Sequence, residues 1–222
     1  MRNYLISLNQ FADFTIATER GKIRIVRQQL SPNPFRIHWY ALAKARIKKS
    51  LQNQGDLVPI YQALEILKKR IPKNRREISD KENSVLALNR YLGMRLPKIF
   101  IEKNYSILKP VIRTTEVGNL TIIVAPDVVI KANIDGRIVL GAIKIHVSKS
   151  KPFDYSQSKK ISAILYKYLN EIKKESEIVE PKLCFSLDVF SDRIVSAPVN
   201  IEEALLEIEK SCEEIRAIWK SF

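Results

Sequence analysis

Glycine, histidine and cysteine are all scarce in this chain, and each shortage removes a class of function. The six glycines among 222 residues form neither a GxGxxG nor a GxxxxGK run, so no bare-backbone loop is available to cradle the phosphates of a nucleotide. The two histidines, His38 and His146, fall in different predicted elements, and no His/Cys spacing matches a zinc site. Cys184 and Cys212 are too few for a disulfide framework and read as small buried hydrophobes, one in a predicted strand and one on a predicted helix face. No apolar run approaches the roughly 20 residues of a membrane span. Met1-Arg2-Asn3-Tyr4 does not open a signal peptide, and a cytoplasmic address is the expectation. There is no internal repeat and no low-complexity segment.

Positive charge is what the chain has in excess. Lys and Arg number 38 against 24 Asp and Glu, a formal net charge of +14, with a pI near 9.8. The 45% hydrophobic and 28% charged content is that of a folded domain. The length suits one core, or a core and a smaller unit. Such a field attracts polyanions and releases counterions when phosphates are neutralised. The charge is also unevenly placed. Between Lys44 and Arg76 ten basic residues face only Asp56 and Glu65, whereas from Ile201 onward six glutamates face Lys210, Arg216 and Lys220. DNA or RNA is therefore the expected partner, against the alternative of solvated lysine-rich faces. The acidic C-terminal helix is a candidate surface for a protein partner.

In chain order, Phe14 to Thr18 and Lys22 to Val26 flank Glu19-Arg20-Gly21 and predict a small β-hairpin. Ser31-Pro32-Asn33-Pro34 is a breaker. A basic helix is expected from Phe35 to about Leu51, and a second from a cap at Asp56 through Arg70. Ser79-Asp80-Lys81-Glu82 has the capping-box spacing and predicts the start of a third helix ending near Gly93. Residues 1–78 are thus read as an N-terminal hairpin and basic helical region, and residues 79–222 as an α/β domain.

The α/β domain is organised around three consecutive β-rich runs, Leu120 to Val124, Val128 to Asn133 and Arg137 to Val147, preceded by an extra strand between Tyr105 and Arg113. Asp135-Gly136 between the second and third runs is a two-residue hairpin signal. Alternation along the third run places Val139, Gly141, Ile143, Ile145 and Val147 toward the core. Leu140, Ala142, Lys144 and His146 fall on the opposite face, away from it. Asp154 with Gln157 caps a helix to about Lys174. Leu183 to Phe190 and Arg193 to Ser196 are strands, and Asn200 with Glu203 caps the final helix.

The order helix, three strands, helix, strand, with Pro126-Asp127 at the second strand and Ala142-Ile143-Lys144 on the third, resembles the PD-(D/E)xK nuclease superfamily. That resemblance implies a restriction-endonuclease-like core, a mixed sheet flanked by helices in α-β-β-β-α-β order. It also implies Mg²⁺ held by Asp127 and a second carboxylate, with Lys144 positioning the attacking water. Hard divalent ions need oxygen ligands beside the phosphate path. The chain departs from the pattern where the second acid belongs, because Ala142 cannot coordinate a metal. Ser162 and Tyr166 stand where related exonucleases carry a Gln and a Tyr. Glu116 or Glu82 would have to supply the missing carboxylate.

Two readings follow, with a third behind them. One is a nucleic-acid-binding protein on a nuclease-like core that has lost metal catalysis, needing no cofactor. Its phosphate contacts would be Lys149, Lys151, Lys159 and Lys160 after the third strand, and Lys44, Lys48, Lys68, Arg75 and Arg76 from the basic region. The second is an active Mg²⁺-dependent nuclease with Asp127, Glu116 and Lys144 as its site, Asp127 and Glu116 holding the metal. The third is a protein-interaction subunit.

Overall fold

The computed structural model of the protein describes residues 4–31, 39–102 and 104–222. The helix start expected at Phe35, His38 and most of the 31–34 breaker lie outside the described residues. The chain opens with β1 (Leu5–Ser7), α1 (Leu8–Thr15) and α2 (Glu19–Leu30), so the expected N-terminal hairpin is a pair of helices. Ser7 accepts the N–H of Gln10, and Thr18 accepts that of Gly21, so each helix has a side-chain cap. Leu8, Phe11 and Ala12 recur at helical spacing and are fully buried. Packing against later helices overrides the β preference of Ile23, Ile25 and Val26, which composition alone reads as a strand.

The basic helices follow as α3 (Ala41–Gln52), α4 (Val58–Lys69) and α5 (Arg75–Gly93). Asn74, not Ser79, caps α5 by accepting the Glu77 N–H. Ser79 lies inside the helix, where its carbonyl and hydroxyl both accept from Asn83. The boundary drawn between residues 78 and 79 therefore falls within one continuous helix. A short α6 (Lys98–Glu102) leads to β2 (Tyr105–Leu108). That strand ends before Pro110, which has no N–H for a ladder.

The remaining elements are β3 (Thr114–Val117), β4 (Leu120–Ile123), β5 (Val128–Ile134), β6 (Arg137–His146), α7 (Tyr155–Ile172), β7 (Ile178–Asp188), β8 (Arg193–Ser196) and α8 (Ile201–Lys220). They build two sheets among the described residues. The larger has the order β2-β5-β6-β7-β8; the smaller is β1-β4-β3. The three β-rich runs therefore do not share one sheet. β4 pairs antiparallel with β3 and parallel with β1, while β5 and β6 form the expected hairpin. Asp135 at φ 52° and Gly136 at φ 78° supply the left-handed pair that a tight hairpin turn requires. β6 and β7 run parallel, joined through α7. The Asp154–Gln157 capping box of α7 is complete, each side chain bonding the other residue's backbone.

Both faces of the five-stranded sheet are covered, which corrects the one-sided expectation for β6. Val139, Ile143 and Ile145 pack with Ile47, Leu51, Ile60, Leu67 and Leu88 of α3, α4 and α5. On the other face Leu140 and Ala142 pack with Ile161, Ile164, Leu165 and Tyr168 of α7. Each fully buried large apolar side chain contributes about 2 kcal/mol. A central strand buried on both faces reads as a near-continuous apolar run rather than an alternation. Residues 138–145 have that pattern apart from Lys144.

Candidate functional site

Lys144 sits near the end of β6 and is only 9% exposed. Its ammonium donates to the carbonyl oxygens of Val124 at 2.7 Å and Ala125 at 2.8 Å, in the connection between β4 and β5. Ala125 holds a left-handed φ of 38°, a conformation that costs a non-glycine residue on the order of 1–2 kcal/mol. Lys144 thus ties the end of the small sheet to the middle strand of the large one. Burial is the main reason its pKa falls from 10.5 to about 8; Lys44, Arg113 and Lys48 push it the same way, and Asp127 opposes them.

Asp127 opens β5, and its two oxygens are both engaged. Oδ2 accepts the Ile145 N–H at 2.8 Å. Oδ1 lies 3.1 Å from the Lys44 ammonium on α3. One turn of α3 further on, Lys48 faces the same side. Positive charge from Lys44, Lys48 and Arg113 thus converges on Lys144, with Asp127 as the opposing carboxylate. It opens into a cleft of about 870 Å³ whose walls include Trp39, Tyr40, Lys44, Lys144, Ser148 and Lys149.

Glu116 is placed on the smaller sheet. It lies on the exposed side of β3, opposite Thr121, two ladder pairs from the β4 end beyond which Lys144 holds Val124. Glu82 is exposed on α5, whose Ser79 and Asn83 line the same cleft. The methyl of Ala142 is fully buried, in register with Val129 on β5 and Cys184 on β7. Among the described residues no group of three or more His, Cys, Asp or Glu side chains comes together. Asp127 is already bonded to an ammonium and an amide, so a hard divalent ion there would have to displace Lys44 and take its other ligands from water and phosphate oxygens. Ser162 spends its hydroxyl on the Ser158 and Lys159 carbonyls within α7.

The other basic candidates scatter. Lys149 lines the cleft, and its backbone N–H donates to the Tyr40 hydroxyl at 3.3 Å. The Lys151 carbonyl accepts from His146, and its side chain lines a neighbouring hollow beside Asp13 and Arg24. Lys159 is half-buried on α7, and Lys160 leans toward Ser156 and Glu207 of α8. Lys68 and Arg75 are exposed at helix ends remote from Lys144 in sequence, while Arg76 lies 5.8 Å above the Trp39 ring. On the acidic α8, Glu214 pairs with Lys22 and Arg216 donates to the Gly118 carbonyl, so part of its charge is turned toward the protein itself.

Sequence reasoning does not single out Trp39, Tyr40, Arg113 or Asp188. An aromatic pair directly before a basic helix is a readable signal for the first two. Nothing local marks Asp188, a fully buried carboxylate that accepts the N–H groups of Phe153, Phe190 and Ser191 at 2.7–2.9 Å. His146 is stacked on Phe153 at 3.6 Å, donates to the Lys151 carbonyl and lies 3.8 Å from Asp188. Burial holds its pKa below the ordinary value. No protein-family model matches the chain, and no curated protein matches it in sequence. Among the described residues no helix is long and apolar enough to cross a membrane.

Proposed function

We propose that this protein binds nucleic acid through a restriction-endonuclease-like core in which a lysine has taken over the place of a catalytic metal. The connectivity supports such a core. α5, then β2, β5 and β6 in antiparallel succession, then α7 and the parallel β7 follow the helix, three strands, helix, strand order, with the β3–β4 hairpin inserted after the first strand.

The observation that carries the reading is the Lys44–Asp127 ion pair beside the buried Ala142. A working nuclease leaves its carboxylates free to hold cations that polarise the phosphate. Here the carboxylate that faces Lys144 is neutralised by the protein's own Lys44 ammonium, and Lys48, Lys144 and Arg113 supply further positive charge. Such charge attracts phosphate without supplying the metal-bound nucleophile that cleaves it.

The test is binding measured across salt concentrations. Neutralising about three phosphates gives a slope of log affinity against log salt between roughly −2 and −3. Affinity that ignores salt would remove the electrostatic basis of the reading. Mg²⁺- or Mn²⁺-dependent cleavage abolished by Asp127→Ala would establish the active nuclease instead.

A further inference from the structure

Trp39 is 43% exposed, a large aromatic surface left facing solvent in the wall of the cationic cleft. The Arg76 guanidinium stands over its ring at 5.8 Å. Tyr40 beside it packs its ring against Phe190 at 5.6 Å and accepts the N–H of Lys149. These contacts pin residue 149 of the loop after β6 to the start of α3, so the two walls of the cleft are held together before any ligand arrives. Lys44, Lys144 and Lys149 line the same space.

We infer that this cleft is a subsite for an unpaired nucleotide of a nucleic-acid strand, its base stacked on Trp39 and its phosphates drawn to Lys149 and the Lys44–Lys144 wall. The inference rests on the nucleic-acid reading and specifies its ligand. An exposed aromatic flanked by cations is the combination that single strands use, because every base offers a π-face and the backbone follows the charge. A base still paired in a duplex hides both faces in its stack and cannot use Trp39. The volume of about 870 Å³ falls in the range of small-ligand clefts, roughly 300–1,000 Å³.

The chain's second tryptophan, Trp219, is buried and set edge-on to Tyr4, so quenching of tryptophan emission by a ligand reports on Trp39. The full-length protein is titrated with an oligothymidylate of roughly ten nucleotides, with a duplex of matched charge and with thymidine 5′-monophosphate. The oligothymidylate is expected to quench emission and bind more tightly than either competitor. Trp39→Ala should weaken it about tenfold and Trp39→Tyr far less, while duplex binding is unchanged. Lys149→Ala should weaken it with a shallower salt slope. Equal affinity for strand and duplex with no effect of Trp39→Ala overturns the subsite while the nucleic-acid reading stands. Equal binding of the mononucleotide overturns the strand as occupant. Salt-independent or undetectable binding of every nucleic acid overturns the nucleic-acid reading itself.

Discussion

Replacing Lys144 by methionine should change how the fold's stability depends on pH, and the size of the change follows from its burial. The folded lysine releases its proton near pH 8, while an unfolded one holds it to about 10.5. Between those values the unfolded chain binds more protons, so stability rises with pH across this window. Below about pH 8 both states are charged, and the folded state bears the full penalty of a buried ammonium. A fall from 10.5 to about 8 corresponds to about 3 kcal/mol. A neutral amine still donates two hydrogens, so the carbonyls of Val124 and Ala125 stay bonded throughout, and the effect is one of charge alone. Methionine preserves the length and removes both charge and donors, which lowers stability by a pH-independent amount of about 1–3 kcal/mol per abandoned carbonyl. Urea unfolding of both proteins from pH 7 to pH 10.5 tests this. The wild-type advantage over Lys144→Met should grow by about 3 kcal/mol across the window. Tyr91, pushed up to about 12 by burial, lowers stability above pH 10 in both proteins and cancels in the difference. Curves that stay parallel, to within the roughly 0.5 kcal/mol such extrapolations resolve, would refute the claim that burial governs this lysine.

Further outcomes follow from the same geometry. Asp127→Asn removes the carboxylate that faces Lys44 and Lys144; nucleic-acid affinity should rise severalfold and the salt slope steepen by about one, read by the same titrations. An active nuclease would instead lose function on this change. Gly141→Ala would place a methyl 2.5 Å from the Leu183 Cβ and carbonyl oxygen, forcing β6 and β7 apart at a cost of about 3 kcal/mol or more. Gly136→Ala meets open space at φ +78° and should cost about 1 kcal/mol, so the two melting temperatures should separate clearly. Cys184 and Cys212 are buried, and burial pushes both thiols up to about 12. An aromatic disulfide reagent near neutral pH should find neither thiol in the native protein and both in denaturant, because the thiolate is the reacting form.

Local chemistry determined a good deal of this protein before any contact was drawn. The Asp135-Gly136 turn, the Asp154–Gln157 capping box and the Asn200 cap are each settled by a few neighbouring residues, and all three stand in the structure. The basic character of residues 44–76 is likewise written in composition. Tertiary structure alone decided three things. It turned residues 8–30 into helices, because packing on α7 and α8 outweighs the β preference of single residues. It covered both faces of β6, because the α3–α5 helices, which precede β6 in the chain, and α7, which follows it, sandwich one sheet. And it joined Lys44 to Asp127 across 82 intervening positions, a pairing that no spacing rule contains, because the fold and not the sequence sets the distance between two charges.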